Sequence, residues 1–90
     1  MALTADAVWE RICAQAGEFF KTHRNEWFTY RIEADHLLPS HADLRIPRGD
    51  FELALPMLPL SDPRKIAKYV TGWAHVAAVL HDPRIAQGDW

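Results

Sequence analysis

Ninety residues with a formal net charge of −2, ten Lys and Arg against twelve Asp and Glu, leave room for one modest core and exclude a generally basic polyanion binder. A hydrophobic share of 49% with 24% charged residues excludes a disordered chain, and the single Cys excludes an internal disulfide and points to a reducing compartment, the cytoplasm. Asp6 and Glu10 interrupt the N-terminus, and the longest apolar stretch, "GWAHVAAVL", reaches only about half a bilayer span, so neither a signal peptide nor a membrane helix is expected.

Val8, Trp9, Ile12, Cys13 and Ala16 fall on one helical stripe, which predicts a first helix over Ala5–Ala16, capped by Thr4 or Asp6 and ended by Gly17. Two strands follow, Glu18–Thr22 and Glu26–Glu33, joined through "HRNE" with Asn25 in the turn. Phe28, Tyr30 and Ile32 alternate onto one face of the second strand; Trp27, Thr29 and Arg31 take the other. After the "EADH" turn, His36–Pro39 completes an antiparallel meander. "SHADLRIPRGD" reads as polar connection. Pro47 opens a short helix in which Phe51, Ala54, Leu55 and Leu58 have helical spacing, and Pro56 ends or kinks it near Leu55.

"SDPRKIAKYV" restarts a helix, with Ser61 or Asp62 as cap and Pro63 in the first turn. Ile66, Tyr69 and Val70 turn inward there, while Arg64, Lys65 and Lys68 share an outer sector. Thr71 and Gly72 break it. "WAHVAAVLHD" forms the last helix, with Trp73, Val76, Ala77 and Leu80 toward the core and Pro83 closing it. The tail "RIAQGDW" reads as irregular. The predicted fold class is α+β: one domain over residues 1–90, an N-terminal helix, a short antiparallel three-stranded sheet, then three short helices packed on one face.

Most catalytic chemistries lack their residues here. His36 and His41 lie five apart and His75 and His81 six apart, which fits no helical ligand pair, so no metal is expected. Cys13 on the apolar stripe reads as an inert core filler without a thiolate-stabilising neighbour. Gly17, Gly49, Gly72 and Gly88 are isolated, so no phosphate-cradling loop forms and no cofactor is expected. The carboxylates are scattered among bases rather than paired in an apolar setting. Together these absences predict a non-enzyme. The last helix offers only His75 to a base edge, which argues against a helix-turn-helix reading head.

The hairpin is the richest stretch. Lys21, Arg24, Trp27 and Arg31 bring aromatic and basic groups to one outer face, where they can stack on bases and hold phosphates. Arg45, Arg48, Arg64, Lys65 and Lys68 would add phosphate contacts. The segments "GEFFKTHRNEWFTYRI", "IPRGDFELAL" and "GWAHVAAVLHDPRI" resemble small α+β domains that accompany bacterial restriction nucleases or phage-defence proteins. That resemblance implies nucleic-acid binding and assigns no site. The leading expectation is a module that binds nucleic acid, DNA before RNA. The alternative is a protein-interaction or homodimerisation module, in which the Trp residues and "LPMLPL" bury against a partner and charges only rim the contact. Since no ligand set is found, chelation with EDTA is predicted to leave the thermal midpoint unchanged, and a fall of several degrees would contradict this.

Overall fold

Thr4 starts the first element in the way its residue type dictates. In the computed structural model, which describes residues 4–70 and 72–90, its Oγ1 accepts from the Ala7 N–H at 3.1 Å and caps α1 (Ala5–Ala14). Val8, Trp9 and Ile12 are buried. The helix stops at Ala14, two residues before the stripe suggests, because Gln15 and Ala16 bond back three residues and tighten the turn. Gly17, at φ 90°, then redirects the chain, and its N–H donates to Tyr30 O at 2.9 Å. Cys13 and Ala16 are exposed, not core fillers, since the cover over this stripe ends at Trp9 and Ile12.

The expected second strand changes partner partway. Phe28 and Trp27 of β2 (Trp27–Phe28) pair with Phe20 and Lys21 of β1 (Phe20–Lys21), closed by a turn with Asn25 at φ 64°. Thr29 already belongs to the next ladder: its N–H donates to Ser40 Oγ at 2.9 Å, and its carbonyl accepts from the Ser40 N–H at 2.8 Å. From there β3 (Tyr30–Glu33) pairs antiparallel with β4 (His36–Pro39) through a two-residue turn, Ala34 and Asp35, both at positive φ. A fifth strand, β5 (Ile46–Pro47), pairs with β4 inside the segment read as connection. It carries only two residues, too few to show an alternation, and Pro47 is tolerated because the strand lies at the sheet edge. The meander is therefore two sheets of two and three strands.

In the helical half, α2 (Arg48–Ala54) ends where Pro56 requires, and the chain tightens into a 3-10 turn over Leu55–Met57. Asp62 caps the next segment, but what forms is one 3-10 turn, Pro63–Ile66, followed by further turns. Ile66 and Val70 are buried while Tyr69, on the turns that follow the 3-10 segment, is 60% exposed and does not turn inward. The expected break at Thr71 lies outside the described residues. α3 (Trp73–Leu80) buries Val76, Ala77, Val79 and Leu80. The tail is not irregular: Asp82 caps a single turn, α4 (Pro83–Ala86), and the Trp90 Nε1–H donates to Leu80 O at 2.6 Å. Arg11 donates to Ile85 O at 2.9 Å and pairs with Asp89 at 2.7 Å, fastening that tail to α1.

The class is α+β: an N-terminal helix, small antiparallel sheets, then short helices. Ile12, Phe20, Leu37, Ile46, Phe51 and Val76 bring one residue each from six elements into a single core. Inside it the Tyr30 hydroxyl donates to Ile12 O at 2.7 Å, joining sheet to α1. Val76 has no exposed surface, so Val76→Asp is predicted to unfold the domain by burying an unpaired charge. Loss of the circular-dichroism melting transition checks this, and a cooperative melt near that of wild type would contradict it.

Candidate functional site

Alternation along β1 fixes which side chains are free. Phe20 and Thr22 turn inward, leaving Phe19 and Lys21 to the outer side, across from Trp27 on β2. Phe19 is 65% exposed and Trp27 60% exposed, with ring centroids 6.5 Å apart and nearly perpendicular. The Lys21 Nζ lies 5.3 Å from the Trp27 ring centroid. The hairpin is held from behind. Its tip packs on α3, with the His23 ring 5.2 Å and the Arg24 guanidinium 5.9 Å from the Trp73 ring. Its inner face meets α3 through Phe28, edge-on to His75 at 4.8 Å.

The base of the hairpin is held by Arg84. Its guanidinium lies 4.2 Å from the Phe20 ring centroid and donates to Phe19 O at 2.7 Å. The Asp82 carboxylate takes two further bonds from the same fork, each 2.9 Å, and also caps the Arg84 N–H. These bonds hold the Asp82 carboxyl below its ordinary range, the Arg84 side-chain bond being the largest cause. Asp62 and Arg64 repeat the same local pair at 3.0 Å, but there the guanidinium stays in solvent and, among the described residues, bonds only to Asp62.

Between the hairpin and the α3–α4 corner runs a groove of about 510 Å³. One wall is the continuous run Phe19–His23 with Trp27; the other is Ala77, Ala78 and the corner His81–Arg84, with Leu60 at the rim. Leu60 is fixed by its N–H, which donates to His81 Nε2 at 3.1 Å. A second hollow of about 500 Å³ lies along the other sheet, lined by Thr29, Arg31, Ser40, Asp43 and Arg45 among others.

The nine residues nominated for nucleic acid are thus brought together only in part. Lys21 and Trp27 share the groove, and Arg24 sits at the hairpin tip. Arg31 and Arg45 share the second hollow, with Arg31 bonded to Glu33 at 2.7 Å. Arg48 pairs with Asp6 and, at 3.0 Å, with Glu52, above the Trp9 ring. Arg64 is paired with Asp62, Lys65 donates to Ser61 Oγ at 2.7 Å, and Lys68 is exposed on the following turn. Among the described residues Lys21, Arg24, Arg45, Lys65 and Lys68 have no carboxylate within 4.0 Å. Sequence reasoning did not pick out Phe19 or Arg84; it named Leu60 only within "LPMLPL" as a partner contact and His81 only as a rejected metal ligand. Only Phe19 carried a usable signal, its alternation with Lys21.

No family model, no curated protein and no solved structure matches the chain. Among the described residues no helix is long and apolar enough to cross a membrane.

His75 gives the site a pH signature. Burial beside Phe28 lowers its pKa below the ordinary 6.5, with Glu26 opposing. The unfolded chain then binds the proton more readily, so stability is full above about 6.5 and falls as pH drops from there toward the lowered folded value. Thermal melts from pH 7.5 to 5 should show this fall, and His75→Gln should remove it. An unchanged pH slope in the variant would contradict the assignment.

Proposed function

We propose that the chain is a protein-interaction module whose contact face is the Phe19–Trp27 pair with the groove beside it. The observation that carries this is two large aromatics, each more than half exposed and paired edge to face, beside a groove whose far wall sets Ala77, Ala78 and Pro83 next to the Asp82–Arg84 pair. Paired exposed aromatics bordering a concave surface are what interfaces bury at their centre. The role is binding rather than catalysis. The exposed thiol of Cys13, with its pKa raised chiefly by partial burial and then by Asp35, suits a reducing compartment, the cytoplasm.

The nucleic-acid reading ranks second. It is favoured by Lys21 beside an exposed Trp27, an arrangement that can stack a base and hold its phosphate. Against it, Arg31, Arg48 and Arg64 spend their charge on carboxylates of their own chain. Within the hairpin Glu18 and Glu26 balance Lys21 and Arg24. A polyanion site needs a continuous positive field, and these cations do not supply one.

Selection of phage-displayed random dodecapeptides on the immobilised domain, followed by isothermal titration, tests the first reading. Selected peptides are expected to bind wild type and to lose about 2 kcal/mol or more with Trp27→Ala, while the melting curve changes by no more than about 0.5 kcal/mol. Labelled single-stranded and duplex DNA at two salt concentrations supply the other arm. DNA affinity that falls steeply with salt, with a slope reduced by about one phosphate's share in Lys21→Ala, would overturn the first reading in favour of the second.

A further inference from the structure

The backbone of β1, not only its side chains, faces the groove. The Thr22 N–H donates to Glu26 O at 2.9 Å and the Glu26 N–H returns to Thr22 Oγ1 at 3.2 Å, which places Thr22 and Glu26 at a hydrogen-bonded position of the ribbon. Antiparallel pairs alternate, so the neighbouring pair, Lys21 and Trp27, is a non-hydrogen-bonded one whose peptide groups turn away from each other. Two residues back the same direction is visible directly: the Phe19 carbonyl points away from β2 and accepts from Arg84 at 2.7 Å. The Lys21 N–H and C=O therefore point into the groove, along an edge that no third strand covers among the described residues.

We propose that the occupant of this groove is an extended peptide segment of a partner protein, added to β1 as a third antiparallel or parallel strand. This rests on the contact-face reading above and specifies its partner. Strand addition satisfies the outward Lys21 N–H and C=O, and alternate side chains of the incoming strand supply specificity. The residue across from Lys21 stands on the Lys21–Trp27 side. Lys21 has no carboxylate within 4.0 Å among the described residues, so that position takes Asp or Glu, which complements the charge left open there. The residues on either side of it turn toward Ala77, Ala78 and Leu60 and take apolar side chains. The segment is thus apolar–acidic–apolar at three consecutive positions, its side chains alternating between the two faces. Arg84 already holds the Phe19 carbonyl, which limits the new pairing to the stretch from Lys21 to His23.

The random dodecapeptide library on the immobilised domain is again the probe, read now for backbone pairing. Peptides selected by wild type and lost on Trp27→Ala are resynthesised with single N-methyl groups at each position in turn. Strand addition predicts a period of two, with methylation at pairing positions lowering affinity tenfold or more and at intervening positions having little effect. Lys21→Glu should shift the selected consensus from acidic to basic at one position. Trp27-dependent peptides whose N-methyl scan is flat, or whose sensitive positions fall three and four apart, would overturn strand addition while leaving the contact face standing. Failure to select any Trp27-dependent peptide would overturn both readings. A Trp27-dependent dimer in sedimentation equilibrium without peptide would make a second copy the occupant and overturn the partner assigned here.

Discussion

The placement of the Arg84 guanidinium is the constraint on which the site depends. One side chain joins the Asp82 cap, the Phe19 carbonyl and the face of Phe20, so it sets the distance between the hairpin base and the α3–α4 corner. Without that strut the two walls of the groove would be linked at this end only by apolar packing, which is non-directional and fixes no spacing. A charge-assisted fork does fix one, and it does so at the edge of the core, where the charge keeps access to water.

The hairpin gains its independence from the partner change at Thr29. An unbroken strand through Thr29 would have kept β1 in the same sheet as β4, with Trp27 and Arg31 on one shared surface. Because Thr29 pairs with Ser40, the two-stranded ribbon leaves the larger sheet and leans on α3 through Phe28, His23 and Arg24. Trp27 and Arg31 consequently line different hollows. The same departure leaves β1 with an outer edge facing a cleft rather than open water, which shields the edge from unspecific pairing and keeps it open to an extended segment.

Local rules made much of the fold legible. The Thr4 cap, the Asn25 turn, the His36–Pro39 strand, the stop before Pro56 and the span of α3 all follow from residue types acting within a few positions. What escaped is set by tertiary partners. Asp62-Pro63-Arg64 and Asp82-Pro83-Arg84 are the same tripeptide and form the same local ion pair, yet Arg64 remains 73% exposed and Arg84 spans the groove. The tripeptide itself does not distinguish them; Phe19 and Phe20, across the fold from Arg84, do. β5 was hidden because two residues carry no period, and the inward reading of Tyr69 assumed a continuous helix where the regular winding ends at Ile66 and turns follow. The candidate site was half legible for the same reason. Lys21, Arg24 and Trp27 stood out by type, whereas the groove that gives them a role is made by residues sixty positions away.

The central claim is that one face, the edge of β1 with its aromatic pair and the α3–α4 corner, is where this domain meets its partner. Backbone amide shift mapping on the isotope-labelled domain, titrated with a library-selected peptide, measures that most directly. The account predicts perturbations gathered at residues 19–23, Trp27, Leu60 and 77–84, with the Lys21 amide moving downfield as it acquires an acceptor. Perturbations gathered instead around Arg31 and Arg45, or over residues 64–68, would contradict it.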